Sequence, residues 1–225
     1  MNGSELMAQY RAERSEAAFA QLVRGFGSLV YSVARRQLRE AHLAEEVAQE
    51  VFTRLARSAP SFATNGELVA WLHRTSVHVA IDVWRAESRR QVREQKASME
   101  RVEEDDRGRW EEIGPHLDDA INQLSDLDRQ AVLVRFFERK SMREVGAVLG
   151  VSEDAAKMRV SRALERLRSH FAAKGVAFGL TAGSELLLLH SVEAAPPPVL
   201  MRLEGLGGLA SVQAGAGGMA GAILL

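Results

Sequence analysis

The chain has 225 residues, 46% hydrophobic and 26% charged, with 29 Lys and Arg against 30 Asp and Glu for a net charge of −1. That is the composition of a soluble globular protein of one or two domains, and a nucleic-acid partner would have to meet segregated rather than uniform positive charge. The absence of cysteine excludes disulfide scaffolds, zinc fingers, thiol catalysis and iron–sulfur clusters.

Charge divides the chain into four pieces. Residues 1–90 hold 12 basic and 10 acidic side chains, residues 91–120 hold 5 and 10, residues 121–174 hold 11 and 7, and residues 175–225 hold 1 and 3. Two near-neutral to basic units thus flank an acidic connector, and an almost uncharged tail follows. The first sixteen residues are polar and carry no secretory signal.

The first unit reads as helical. Phe19, Leu22, Val23, Phe26, Val30, Val33, Ala34 and Leu38 recur at helical spacing. In the next segment Leu43, Val47, Val51 and Leu55 make one stripe, with Glu45, Gln49 and Phe52 expected on the opposite face. Pro60 and Thr64-Asn65-Gly66 punctuate the chain before a third helix that runs to Arg90. The connector is poor in aliphatic residues and reads as a mobile linker closed by Gly114-Pro115. Its acidic pairs, Asp105-Asp106 and Asp118-Asp119, have nothing rigid expected around them, and the six histidines form no metal-ligand pattern. No catalytic group, metal or cofactor is expected.

The second unit predicts one helix over residues 124–140, a short helix after Ser141, a turn at Gly150-Val151 and a long final helix. Ser141 and Glu144 have capping-box spacing. Gly150 suits a left-handed helix end, and Ser152 suits an N-cap. Two helices joined by a glycine turn make a helix-turn-helix. Its core would be Val145, Leu149, Val151, Ala156, Val160 and Leu167, leaving Lys157, Arg159, Arg162, Arg166 and Arg168 outward. Such a helix fits the major groove, where arginine forks bond guanine or phosphate. The plainer alternative is a solvated basic face on a structural helix.

Residues 124–168 resemble domain 4 of the sigma-70 family, in its extracytoplasmic-function (ECF) group. The segments AEEVAQEVFTRL and WLHRTSVHVAIDVWRAESRR resemble domain 2 of the same family, in the right order. The expected fold is therefore all-α: domain 2 over 1–92, an acidic linker over 93–120, a helix-turn-helix domain 4 over 121–174, and a tail rich in Ala, Gly and Pro over 175–225. The resemblance implies a factor that binds core RNA polymerase and directs it to promoter DNA in the bacterial cytoplasm. It implies that Glu45, Glu46, Gln49, Glu50 and Phe52 dock on polymerase. It assigns His78, Asp82, Trp84, Arg85, Arg89 and Arg90 to the −10 element, with Trp71 mostly in the core. It assigns Ser152, Lys157, Met158, Arg159, Ser161, Arg162 and Arg166 to the −35 element. His78 stands where the family usually has Asn, and Met158 where a small polar residue is common, so base preference does not transfer at those positions. An anti-sigma factor is a further partner of the kind the resemblance allows. The linker is expected to pass through polymerase near the RNA path, so neutralising Glu103, Glu104, Asp105 and Asp106 should alter initiation more than promoter affinity.

The runner-up is a helix-turn-helix regulator that works without polymerase. The tail leaves two readings open. Residues 205–225 carry no charge, a length that could cross a bilayer and tie the protein to a membrane, but seven glycines in that stretch favour a flexible or regulatory extension instead.

Overall fold

The computed structural model describes residues 1–94, 109–176 and 178–208. Glu103 to Asp106 and the uncharged residues 209–225 lie outside the described residues. Every regular element among the described residues is helical.

The first module is a bundle of α1 (Gly3–Glu13), α2 (Glu16–Leu38), α3 (Ala41–Ser58) and α4 (Asn65–Glu94). Helix α1 is an addition to the sequence reading. Polar residues hide its short apolar stripe, yet Leu6, Met7 and Tyr10 are buried, and Asn2 with Glu5 completes a capping box. The buried rows of α2 and α3 interlock through Phe19, Leu22, Val47, Val51 and Leu55. Helix α4, about 45 Å long at 1.5 Å per residue, buries Leu68, Leu72 and Val79 in the same core.

The second module begins earlier than charge implies. Residues assigned to the connector form α5 (Arg109–Asn122), whose Ile113, Leu117, Ala120 and Ile121 are buried. Four apolar residues at helical spacing hold this helix in place despite its acidity. Helix α6 (Asp126–Val132) passes into a wider π-type turn over Leu133–Phe137 rather than continuing as one α-helix. The wider turn sends the adjacent pairs Leu133–Val134 and Phe136–Phe137 all inward. Arg129 ties the α5–α6 turn by donating to the carbonyls of Ile121, Asn122 and Leu124.

Helices α7 (Met142–Leu149) and α8 (Glu153–Ala173) form the helix-turn-helix. The capping box at Ser141, the left-handed Gly150 at φ 67° and the N-cap at Ser152 all stand as expected. Val151 does not. It is exposed at the tip of the turn, because its carbonyl comes within 2.8 Å of where a Cβ on Gly146 would sit. The turn therefore closes by backbone contact over a glycine, and the Val151 side chain is left outside.

The two modules pack against each other. At the centre of the contact, Arg36 of α2 makes two hydrogen bonds to Asp118 of α5, at 2.9 and 2.8 Å. His73 Nε2 of α4 lies 3.0 Å from the same carboxylate. Asp118 and His73 are fully buried. Burial alone would raise the Asp118 pKa, but the Arg36 charge and the hydrogen bonds from His73 and Arg36 hold it well below the usual carboxylate range. Asp118 is thus rigidly held, contrary to the expectation for an acid beside a linker. At one edge Asn65 Nδ2 donates to both oxygens of Glu138, at 2.9 and 2.8 Å.

The tail folds back. Helix α9 (Leu180–His190) lies on the second module, with Phe178 stacked on Phe171. Helix α10 (Pro197–Glu204) lies on α2 and α3 of the first module, burying Val199 and Leu203. Among the described residues no helix is long and apolar enough to cross a membrane.

Candidate functional site

Helix α3 presents an acidic rim. Glu46 and Gln49 are exposed, and Glu50 is partly exposed and accepts a 2.7 Å hydrogen bond from Arg54. Glu45 sits at the edge of this rim and is paired with Arg202 of α10. Phe52 corrects the sequence expectation. It is fully buried, edge-on to Phe19 at 6.2 Å, so it is core and not a surface anchor. The reason is the width of the apolar stripe. Position 52 lies beside 48 on the helix, and with Ala44 and Ala48 it extends the Val47–Val51 row instead of opposing it.

The C-terminal half of α4 carries the residues assigned to the −10 element. His78, Asp82, Trp84, Arg85 and Arg89 are exposed. Trp84 is 59% exposed, an indole available for stacking. Asp82 and Arg85 stand 3.9 Å apart on successive turns. The Arg90 side chain lies outside the described part of the structure. Trp71 is partly buried against Phe62, as expected of a core tryptophan.

On α8 the exposed face holds Lys157, Met158, Ser161 and Arg162, with Ser152 at its start. Met158 is 64% exposed. The Lys157 ammonium donates to the carboxylate of Glu153, and secondarily to that of Asp154, and these contacts raise its pKa, so this group stays a cation. Two of the expected contacts are already engaged. Arg159 and Arg166 both reach Asp128 of α6, at 3.1 and 2.5 Å. Asp128 is buried and was not singled out from sequence. Its only signal is an acid on the inward row of α6, between Leu124 and Val132. Arg168 pairs with Glu165 at 2.6 Å. Among the described residues, Arg162 carries no ion pair.

On two helical modules the geometry supplies two exposed faces, one on the C-terminal half of α4 with Trp84 and one on α8 with Lys157 and Arg162, and one acidic helix rim on α3. Among the described residues no group of His, Asp and Glu could hold a metal ion. The family models agree with this division. Sigma-70 region 2 matches residues 22–90, and sigma-70 region 4 matches residues 120–169. The chain belongs to the sigma-70 family of RNA polymerase sigma factors. Its similarity to curated proteins places it in the ECF group. It is 30% identical over 157 residues to the ECF RNA polymerase sigma factor SigE of Mycolicibacterium smegmatis, covering 68% of this chain and 61% of that protein. It is 29% identical over 165 residues to the RNA polymerase sigma factor CarQ of Myxococcus xanthus, covering 72% and 93%. It is 24% identical over 180 residues to the ECF sigma factor SigW of Bacillus subtilis, covering 73% and 96%. The chain is thus a transcription initiation factor, and the reading as a polymerase-independent regulator falls away.

Proposed function

We propose that this protein docks on core RNA polymerase through the rim of Glu45, Glu46, Gln49 and Glu50, and reads promoter DNA with α4 and α8. The observation that carries the reading is the pairing, in one chain, of an acidic helix rim with a capped helix-turn-helix. Acidic side chains on a rigid helix suit a partner helix rich in arginine. His78, Asp82, Trp84, Arg85, Arg89 and Arg90 face the −10 element. Trp84 offers a stacking surface for a base drawn out of the duplex, with Arg85 and Arg89 beside it for phosphates. Ser152, Lys157, Met158, Arg159, Ser161, Arg162 and Arg166 meet the −35 element in the major groove. The protein works where polymerase and the chromosome are, in the bacterial cytoplasm, and an anti-sigma protein is a further partner of the kind such a factor takes.

The closed packing bears on how promoter reading proceeds. Elements centred at −35 and −10 are 25 base pairs apart, roughly 85 Å along a duplex at 3.4 Å per step. A compact 225-residue chain has a radius of gyration of about 17 Å. The closed form cannot touch both elements, so the modules separate on the polymerase. The test is run-off transcription with purified core enzyme on a cognate promoter. The intact protein supports initiation, and Glu46→Lys with Gln49→Lys abolishes core binding while leaving helicity unchanged. Full core binding by that double variant would refute the assignment of the rim.

A further inference from the structure

Residues 191–208 run as a continuous strap across the first module, held along their whole length. Ser191 sits between the modules. Its hydroxyl donates to the Phe136 carbonyl at 3.0 Å, and its carbonyl accepts from Arg36 at 2.7 Å. The strap then follows α2. The Glu193 N–H donates to Ser32 Oγ at 2.7 Å, and the Ala195 N–H to Ser28 Oγ at 3.1 Å. Leu200 fills the space above Gly27 that any larger side chain would block. Val199, Leu203 and Leu206 are buried beneath it. The far end is fixed by Tyr10, whose hydroxyl donates to the Gly207 carbonyl at 3.2 Å.

Two ion pairs flank α10. Glu204 meets Arg24 at 3.1 Å, and Arg202 meets Glu45. Arg202 is the single Lys or Arg after position 174. It reaches the edge of the same acidic rim that the functional reading gives to polymerase.

We propose that the strap is an intramolecular competitor for core polymerase: α10 lies along the Glu45 edge of α3, takes that carboxylate with Arg202, and must leave before polymerase can seat. Because α9 stays anchored on the second module while α10 lies on the first, the same strap holds the two modules closed. Its displacement frees both the docking rim and the module separation that promoter reading requires. The local chemistry suits release. The contacts through Ser28, Ser32 and Tyr10 are neutral hydrogen bonds that water can replace, the contact from Arg36 to the Ser191 carbonyl has a charged donor, and the two ion pairs are partly exposed, where each is worth little. The inference rests on the assignment of the α3 rim to polymerase.

The experiment uses the full chain, which has no cysteine of its own. Gly27→Cys with Leu200→Cys places two thiols where strap and α2 meet, and oxidation locks the strap down. The locked chain should lose core binding at least tenfold, and reduction should restore it. In the opposite direction, Arg202→Glu sets like charges against Glu45 and should tighten core binding several-fold with no loss of helicity. This exposed substitution answers the question should the cysteine pair fail to fold. Equal core binding by the locked and reduced chains, or no gain for Arg202→Glu, overturns the strap while leaving the docking rim intact. Failure of the reduced chain, the Arg202→Glu chain and the unmodified chain alike to bind core overturns both the strap and the reading of the rim.

Discussion

Asp118→Asn is the sharpest perturbation of the closed form. The native carboxylate accepts two hydrogen bonds from Arg36 and a third from His73, in a site with no solvent on Asp118 and only 7% exposure of Arg36. Replacing it with the isosteric amide leaves the guanidinium buried, with Ser191 O as its remaining strong acceptor. Breaking a buried pair from one side costs about 3–5 kcal/mol. The amide still offers one oxygen, so the low end applies, roughly a 100-fold shift toward the open form at about 1.4 kcal/mol per tenfold. Dyes on Arg57→Cys and Ser169→Cys, one at an exposed site on each module, report closure by energy transfer. Asp118→Asn should move the urea midpoint of that signal down by the equivalent of about 3 kcal/mol, whereas Arg36→Met with Asp118→Leu recovers most of the loss. The native cluster also has an acid limit. Its folded pKa lies below the ordinary 3.8, so its contribution is complete above about that pH and is lost as pH falls further. A shift below about 1 kcal/mol, the worth of an exposed ion pair, would refute the view that this cluster holds the modules together.

Glu138 gives a second pH dependence of opposite sense. Burial pushes its pKa up to about 7 from an ordinary 4.5, with Lys140 and Asn65 offsetting part of the rise. The protonated form is favoured when closed, so closure is unpenalised below about 4.5 and weakens as pH rises through 7. The same dye pair in a titration from pH 5 to 8 should show that loss, and Glu138→Gln should flatten it. Trp84→Ala should slow promoter melting by about 1–3 kcal/mol of lost stacking, read with a fluorescent base at the −10 element, while binding of closed duplex is unchanged. Arg162→Ala should weaken −35 duplex binding by about 1–3 kcal/mol and reduce its salt slope by about 1 if the contact is to phosphate. Ser141→Ala removes a helix cap and should cost about 1 kcal/mol of stability in thermal melts.

How far the sequence could be read depended on how local each feature is. The caps and turn of the helix-turn-helix were legible because they are set by neighbours, Ser141 with Glu144 and Gly150 with its left-handed backbone, whereas the exposure of Val151 and the hold of Asp128 on Arg159 and Arg166 were not. The rim of α3 was legible except for Phe52, where one stripe was counted and the helix buried a wider face. What escaped depends on contacts distant in the chain. Asp118 looked like part of a solvated acidic run because its partners, Arg36 and His73, lie 82 and 45 residues away. The tail read as loose for the same reason: its glycines and prolines make no independent helix bundle, and α10 packs on α2 and α3, far away in the chain. Helix α1 was missed because a helix with three buried apolar residues looks polar until its neighbours are known.

The buried Asp128 has a consequence for how the protein behaves away from promoters. By holding Arg159 and Arg166 it gives α8 a firm shape, and its single negative charge offsets one of their two positive charges. Bulk chromosome attracts proteins mainly by exchanging loosely held cations for fixed ones, and a helix with part of its charge matched from within has less to exchange. On the proposed reading of α8, a sequence that offers these two arginines better partners than Asp128 should draw them out, and the helix should hold its own site more firmly than the rest of the genome.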